Sequence, residues 1–329
     1  MIPDESLQTT SYCYSKPIID CHLHVGCNYY SLYKEKYPTT QNIYDLSMKL
    51  KRNNVSFGCL SPMPSTLYYD QRILAEKNII KKSKMQNFPY EIENKTLIRE
   101  INKHGHNFVP FVCINPNEGI EEQINLIENI SNENRIYGFK FHPITLHCEI
   151  TKLIDTEFIR YAQKHNIPFQ IHSGDDPYSN PYDILNISKE YPNINFCIAH
   201  FGRFNKSFLE TIFCSSPANL YFDLAPFLVL VELARLNFNS GHFHDLVLET
   251  PEKIIKIILS KLAKNVIWGT DEPFTQINEI ALTDSNNDTY TTEVNFLKSL
   301  DTNIKNSISF TNTLKYLNCT EKDIQQYLG

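Results

Sequence analysis

Residues 18–26 read IIDCHLHVG, an apolar, strand-like run that carries Asp20, His22 and His24 before it reaches Gly26. Side chains alternate faces along an extended strand, so Ile19, Cys21 and Leu23 are expected to pack against outer helices while Asp20, His22 and His24 share the other face. A buried strand with two hydrogen-bonded histidines satisfies that pattern, and so does a pair of metal ligands. His-x-His alone does not choose between them, because so short a motif recurs by chance. The choice rests on what the rest of the chain places beside it.

Seven more apolar runs follow: SFGCL (56–60), FVPFVCI (108–114), YGFKF (137–141), PFQIH (168–172), INFCIAH (194–200), LYFDL (220–224) and VIWGT (266–270). Between them lie stretches with apolar residues at steps of three and four, such as NIYDLSMKLKRNN, DTEFIRYAQKHN, NPYDILNISKEYP and TPEKIIKIILSKLAKN. In NPYDIL, Asn180 reads as a helix cap with Pro181 in the first turn. Strands alternating with helices specify parallel pairing through crossover helices, and eight of them point to an α/β fold, a (β/α)8 TIM-like barrel. An open doubly wound sheet would show fewer strands and a Gly-rich phosphate turn, and neither G-x-G-x-x-G nor G-x-x-x-x-G-K-[ST] occurs. No linker divides the chain, so a single domain over 1–329 is expected, with the long segment 61–106 as a lid, an insertion or an oligomer contact.

Composition narrows the function. The chain has 329 residues, 42% of them hydrophobic, which is enough for a large core. A net charge of -6 with scattered lysines offers no cationic field for a phosphate backbone, so nucleic acid is not an expected partner. The polar N-terminus and the lack of any run of 18 apolar residues argue against secretion and membrane insertion. Nine cysteines without a C-x-x-C pair, with Cys59, Cys113 and Cys197 inside apolar runs, read as reduced core thiols of a cytoplasmic protein.

Barrels of this type carry their active sites at the C-terminal ends of the strands. There this chain places His22 and His24, Lys140 and His142, His172, His200 and, just after the last strand, Asp271. Singly, each has an ordinary role: a core histidine, a helix cap ahead of Pro273, a snorkelling lysine. Jointly they demand partners, because polar groups gathered at a barrel mouth are costly to desolvate unpaired.

The motifs IIDCHLHVG, GFKFHP, PFQIHSG, CIAHFG and IWGTDEPF stand in an order that resembles the amidohydrolase-related branch of the amidohydrolase superfamily. The resemblance continues to SISFTNTLKYL, where Asn312 matches the family's terminal asparagine. It implies a barrel holding one or two divalent metals, with His22, His24, His172 and Asp271 as ligands of a single-metal site. Lys140, if carboxylated, would bridge two ions, with His172 and His200 on the second. Neutral imidazoles and a carboxylate suit Zn2+, with Mn2+ or Fe2+ as alternatives. Asp271 and His200 are the catalytic candidates, Asp271 relaying the proton of an activated water and His200 polarising a carbonyl or acting as a base. Asp20 is expected to orient a ligand from behind.

Substrate selection falls to the loops. Tyr29, in CNYYSLYKEKYP, and Tyr68, in SPMPSTLYYDQR, are candidates for a pocket wall, and Arg203, in HFGRF, for gripping a carboxylate with its bidentate fork. Asp175 and Asp176 are expected to cap the following helix. Three functions fit: a metal-dependent hydrolase of an amide, lactone or related bond in a small molecule, a non-oxidative decarboxylase using the same metal site, and a binding barrel without activity. The intact ligand set argues against the third, and family frequency favours the first. A homo-oligomer is compatible with all three.

Overall fold

The eight apolar runs become eight parallel strands, and they position everything that follows. In this computed structural model residues 15–34, 39–104, 107–275 and 288–328 are described. The strands are β1 (Ile19–Cys27), β3 (Phe57–Pro62), β4 (Phe108–Ile114), β5 (Gly138–Phe141), β6 (Phe169–Ile171), β7 (Phe196–Ile198), β8 (Leu220–Asp223) and β9 (Val266–Ile267). A two-residue strand, β2 (Thr40–Gln41), adds antiparallel to the far end of β1. The sheet runs β2-β1-β3-β4-β5-β6-β7-β8-β9. It closes on itself: Cys21 N–H donates to Trp268 O at 3.1 Å, Asp271 N–H to His22 O at 2.8 Å, and His24 N–H to Glu272 O at 2.9 Å. The chain is therefore a TIM-type barrel.

Helices fill the crossovers where the 3.6-residue period predicts them, including Ile43–Arg52, Glu157–His165, Pro181–Glu190 and Pro251–Leu262. Three of these four starts are capped by short polar side chains, Asn42, Asn180 and Thr250. Asn180 Oδ1 accepts the Tyr182 N–H at 3.0 Å with Pro181 in the first turn, and Thr250 accepts from Lys253. Each such cap contributes about 1 kcal/mol. Asp175 and Asp176 cap no helix: Asp175 pairs with His242 at 2.7 Å and Asp176 accepts the Tyr178 N–H at 2.9 Å.

Two apolar layers flank the sheet. Outward residues such as Phe139, Phe169, Phe196 and Leu220 pack against the helices. Inward residues Ile19, Phe57, Cys59, Val109, Phe111, Cys197, Tyr221 and Ile267 form a second core, plugged by Phe310, Leu314 and Tyr316 from the C-terminal helices. Asn312 ties that plug to the wall, its Nδ2 donating to Ala263 O at 2.9 Å and Val266 O at 2.8 Å.

β1 breaks the expected alternation. Its pairing with β3 runs Ile19 with Phe57, Asp20 with Gly58 and then Leu23 with Leu60, so β1 spends three residues where β3 spends two. The extra residue is a β-bulge, which turns Cys21 and His22 toward the interior in succession. Ile19 and Cys21 accordingly join the inner core rather than the helix layer, and Leu23 alone of the three packs outward. Asp20 does not share a face with His22 and His24. It accepts from Thr270 N–H (3.0 Å), Thr270 Oγ1 (2.8 Å) and His22 N–H (3.1 Å), clamping β1 to the segment after β9 through the backbone. Gly269 is needed for that clamp: a Cβ there would lie 2.9 Å from both the Cβ and the N of His22.

Candidate active site

The C-terminal mouth gathers one polar side chain after another from successive strands. From β1, His22 Nε2 and His24 Nε2 stand 3.2 Å apart. Asp271, held at φ 59° after β9, puts Oδ1 within 3.2 Å of both. Each ring is anchored from behind. His22 Nδ1 meets Asp223 Oδ2 at 3.0 Å, and His24 Nδ1 meets Pro62 O and Ser61 Oγ at 3.0 Å each. A carbonyl oxygen and an ionised carboxylate only accept, so the Nδ1 atoms carry the protons and the Nε2 atoms present lone pairs. Two nitrogen lone pairs and a carboxylate oxygen facing one another repel unless a cation lies among them. That donor chemistry fits a divalent metal held by His22, His24 and Asp271.

His200 comes next, and it sits on unusual backbone. Residues His200 to Phe204, in HFGRF, all have φ between 50° and 62°, a left-handed turn that only Gly202 adopts without strain. With about three residues per turn, His200 and Arg203 project on one side, while Phe201 and Phe204 pack in the core with centroids 5.5 Å apart and rings tilted by 60°. His200 Nδ1 meets Ala225 O at 2.5 Å, and its Nε2 meets His172 Nδ1 at 2.9 Å. His22, His200 and Asp271 form a group whose ligand atoms lie within 4.8 Å of one another. His172 stands behind it, bonded to His200 and stacked on His142 at 4.1 Å.

Lys140, on β5, points inward with its Nζ 2.6 Å from His22 Nε2 and 3.2 Å from Gln170 Oε1. Electrostatics prepares the same state that a metal requires. Burial, and then Lys140, hold the His22 imidazole well below its ordinary range. Burial does the same to His172 and His142, lowers His200, and pushes the Lys140 ammonium down against the pull of Asp271 and Asp223. Burial would also raise the Asp271 carboxyl, but the facing His22, His24 and His200 outweigh it and hold the group below the usual carboxylate range. Burial thus favours the neutral imidazole at His22, His142, His172 and His200, and the Asp271 carboxyl is held towards its ionised form.

Above these groups opens a cavity of about 410 Å³. Its wall combines Arg203 and His147 with the apolar side chains of Leu74, Ile144, Val229, Leu230, Leu233 and Phe274. Leu74 and Asn78 bring part of the long segment after β3 into that wall. Of the residues singled out from sequence, His22, His24, His172, His200, Lys140, Asp271 and Arg203 all border this one space. Tyr29 and Tyr68 do not. Tyr68 is buried with its hydroxyl on Glu118 at 2.9 Å, and Tyr29 borders a separate cavity of about 830 Å³ between β1 and the helices Ile43–Arg52 and Glu91–His104. Tyr30 takes the place expected for its neighbour. Sequence reasoning passed over Asp223, which ends β8, and Gln170, in the middle of β6, both on the inward face. The signal was present in LYFDL, where an aspartate closes an apolar run as the histidines do elsewhere.

A profile of the amidohydrolase family matches residues 19–284. The chain belongs to that family. No curated protein matches it in sequence. Among solved structures, it resembles a candidate 2-pyrone-4,6-dicarboxylic acid hydrolase from Pseudomonas putida at 12% identity, over 92% of this chain and 97% of that one, with a TM-score of 0.59. A candidate amidohydrolase from Staphylococcus aureus is 16% identical over 92% of this chain and 100% of that one, with a TM-score of 0.60. A variant of 5-carboxyvanillate decarboxylase from Novosphingobium aromaticivorans, solved with bound manganese, is 12% identical over 92% and 97%, with a TM-score of 0.58. At such identities these likenesses carry the barrel and no more. Family membership makes the chain an enzyme with a divalent-metal site, and a His-His-Asp cluster, His22 and His200 with Asp271, stands at the mouth. Among the described residues no helix is long and apolar enough to cross a membrane.

Proposed function

We propose that this amidohydrolase is a metal-dependent hydrolase that splits an amide, lactone or related bond in a small molecule bearing a carboxylate. The disposition of Asp271 carries the reading. Its Oδ1 faces His22 and His24, while Oδ2 turns toward His200, 3.9 Å from Nδ1. One oxygen is thereby free of the ligand cluster and can take a proton. A divalent ion, when bound, supplies Lewis acidity that lowers the pKa of a water molecule and polarises a carbonyl. Asp271 Oδ2 accepts the proton of the attacking water and passes it to the leaving group. His172 donates from Nδ1 to His200 Nε2, which fixes the ring of His200 beside the reacting carbonyl. Arg203, whose Nε is buried without a hydrogen-bond partner among the described residues, grips the substrate carboxylate. The apolar wall of Val229, Leu230, Leu233 and Phe274 excludes water from the rest of the cavity.

Zn2+ is the proposed ion, with Mn2+ and Fe2+ as alternatives, because neutral imidazoles and one carboxylate suit a borderline cation. One ion is proposed, since His22, His24 and Asp271 share a single focus. The described cysteines are free, which supports a reducing, cytoplasmic setting.

Arg203 also supports a second reading, because a carboxylate gripped at the mouth could be the group that leaves as CO2. Turnover in 18O-labelled water separates the two. Label in a split product supports hydrolysis, whereas CO2 release without cleavage elsewhere establishes decarboxylation. Activity that survives complete removal of divalent metal sinks both.

A further inference from the structure

We propose that Asp223 is a positioning residue that sets the metal affinity of this site by holding His22 in the Nδ1–H tautomer. The proposal rests on the reading of His22, His24 and Asp271 as the metal ligands. Asp223 ends β8 on the inward face and is fully buried. Its Oδ1 accepts the His200 N–H at 2.9 Å and the Ala225 N–H at 3.2 Å. Its Oδ2 accepts Gln170 Nε2 at 2.9 Å and meets His22 Nδ1 at 3.0 Å.

The Gln170 amide has one consistent orientation. Its Nε2 also donates to Cys21 O at 3.1 Å, and its Oε1 accepts from Lys140 Nζ at 3.2 Å. Of the five groups on Asp223, three are thus obligate N–H donors and a fourth is the Cys197 thiol, which donates to Oδ2 at 3.8 Å, so the carboxylate can only accept from the fifth, His22. His22 must therefore carry its proton on Nδ1, leaving the Nε2 lone pair beside His24 and Asp271. A single carboxylate in this way fixes the tautomer of one imidazole, the backbone under His200 and, through Gln170, the lysine that approaches His22.

Asp223→Asn tests this without removing the side chain. Its amide oxygen can still accept from the His200 and Ala225 N–H groups, but its nitrogen now donates toward His22 Nδ1. The proton is driven to Nε2, where it blocks the ligand position. The full-length chain is stripped of metal and titrated with Zn2+ or Mn2+ in competition with a chromophoric chelator. The expected result is at least ~10-fold weaker binding than wild type, with the apo melting temperature of the variant showing that it is folded. Long-range 15N NMR of the metal-free wild type should report His22 protonated on Nδ1, a readout that does not depend on the variant folding. Wild-type His22 protonated on Nε2 overturns the proposal, as does a folded variant that binds within threefold of a metal-binding wild type. A wild-type chain that binds neither ion overturns the ligand reading and the proposal together.

Discussion

The two ends of the barrel interior are built from the same strands and behave as opposites. On β8, Tyr221 joins the apolar plug with Phe111, Ile267 and Tyr316, and two residues later on the same inward face Asp223 is saturated with N–H donors. On β1, Ile19 and Cys21 belong to the plug, and His22 and His24 to the mouth. One step of pleat therefore separates core from chemistry. The lower end gains stability from excluding water, while the upper end buries polar groups at a cost that hydrogen bonds and a cation offset. Mutations at the two ends should separate stability from metal-dependent activity.

The largest effect belongs to the mouth. Asp271→Asn keeps a ligand-sized side chain but removes the proton acceptor, and kcat should fall by ~10³-fold or more while the apo melting temperature stays near wild type. Retention of more than a tenth of the activity would break the assignment of Asp271. At the plug, Phe111→Ala should do the reverse. Its ring is buried against Gly138 and Tyr316, and its loss should cost about 3–5 kcal/mol in denaturant unfolding with metal affinity unchanged in the folded fraction.

Arg203→Leu probes the cavity wall between these extremes. A lost charge-assisted contact should lower kcat/KM by about 10²-fold, mostly through KM, with metal content intact. An equal loss on a substrate lacking a carboxylate would show that Arg203 supports the turn rather than the ligand. The smallest effect is expected at Tyr316, whose hydroxyl is buried in the plug without a hydrogen-bond partner among the described residues. Tyr316→Phe removes an unsatisfied polar group and should stabilise the protein by about 1 kcal/mol, raising its melting temperature.

The eight strands, the helices between them and the ring of strand-end histidines were all legible in the sequence, because each rests on short-range periodicity or on position within a run. Asn180 as a cap was legible for the same reason, whereas Asn312 was singled out only through the family resemblance of SISFTNTLKYL. Tyr29 and Tyr68 were not placed correctly, since a loop's direction depends on what it packs against: Glu118 holds Tyr68 away from the mouth, and Tyr30 faces the cavity instead. His142 stood in the same motif as Lys140, but its stacking on His172 is a contact between strands that spacing does not report.

By itself the sequence determined the barrel and which polar side chains stand at the strand ends, because alternation of apolar runs and the choice of side chain at a strand end are local properties. Only the tertiary structure decided which face each residue of IIDCHLHVG takes. A bulge is a mismatch between two strands, three residues of β1 against two of β3, and one strand alone does not reveal it. Closure of the barrel likewise decided that His200 rather than His172 stands with His22 and Asp271, and that Asp223, distant in sequence, sets the proton on His22.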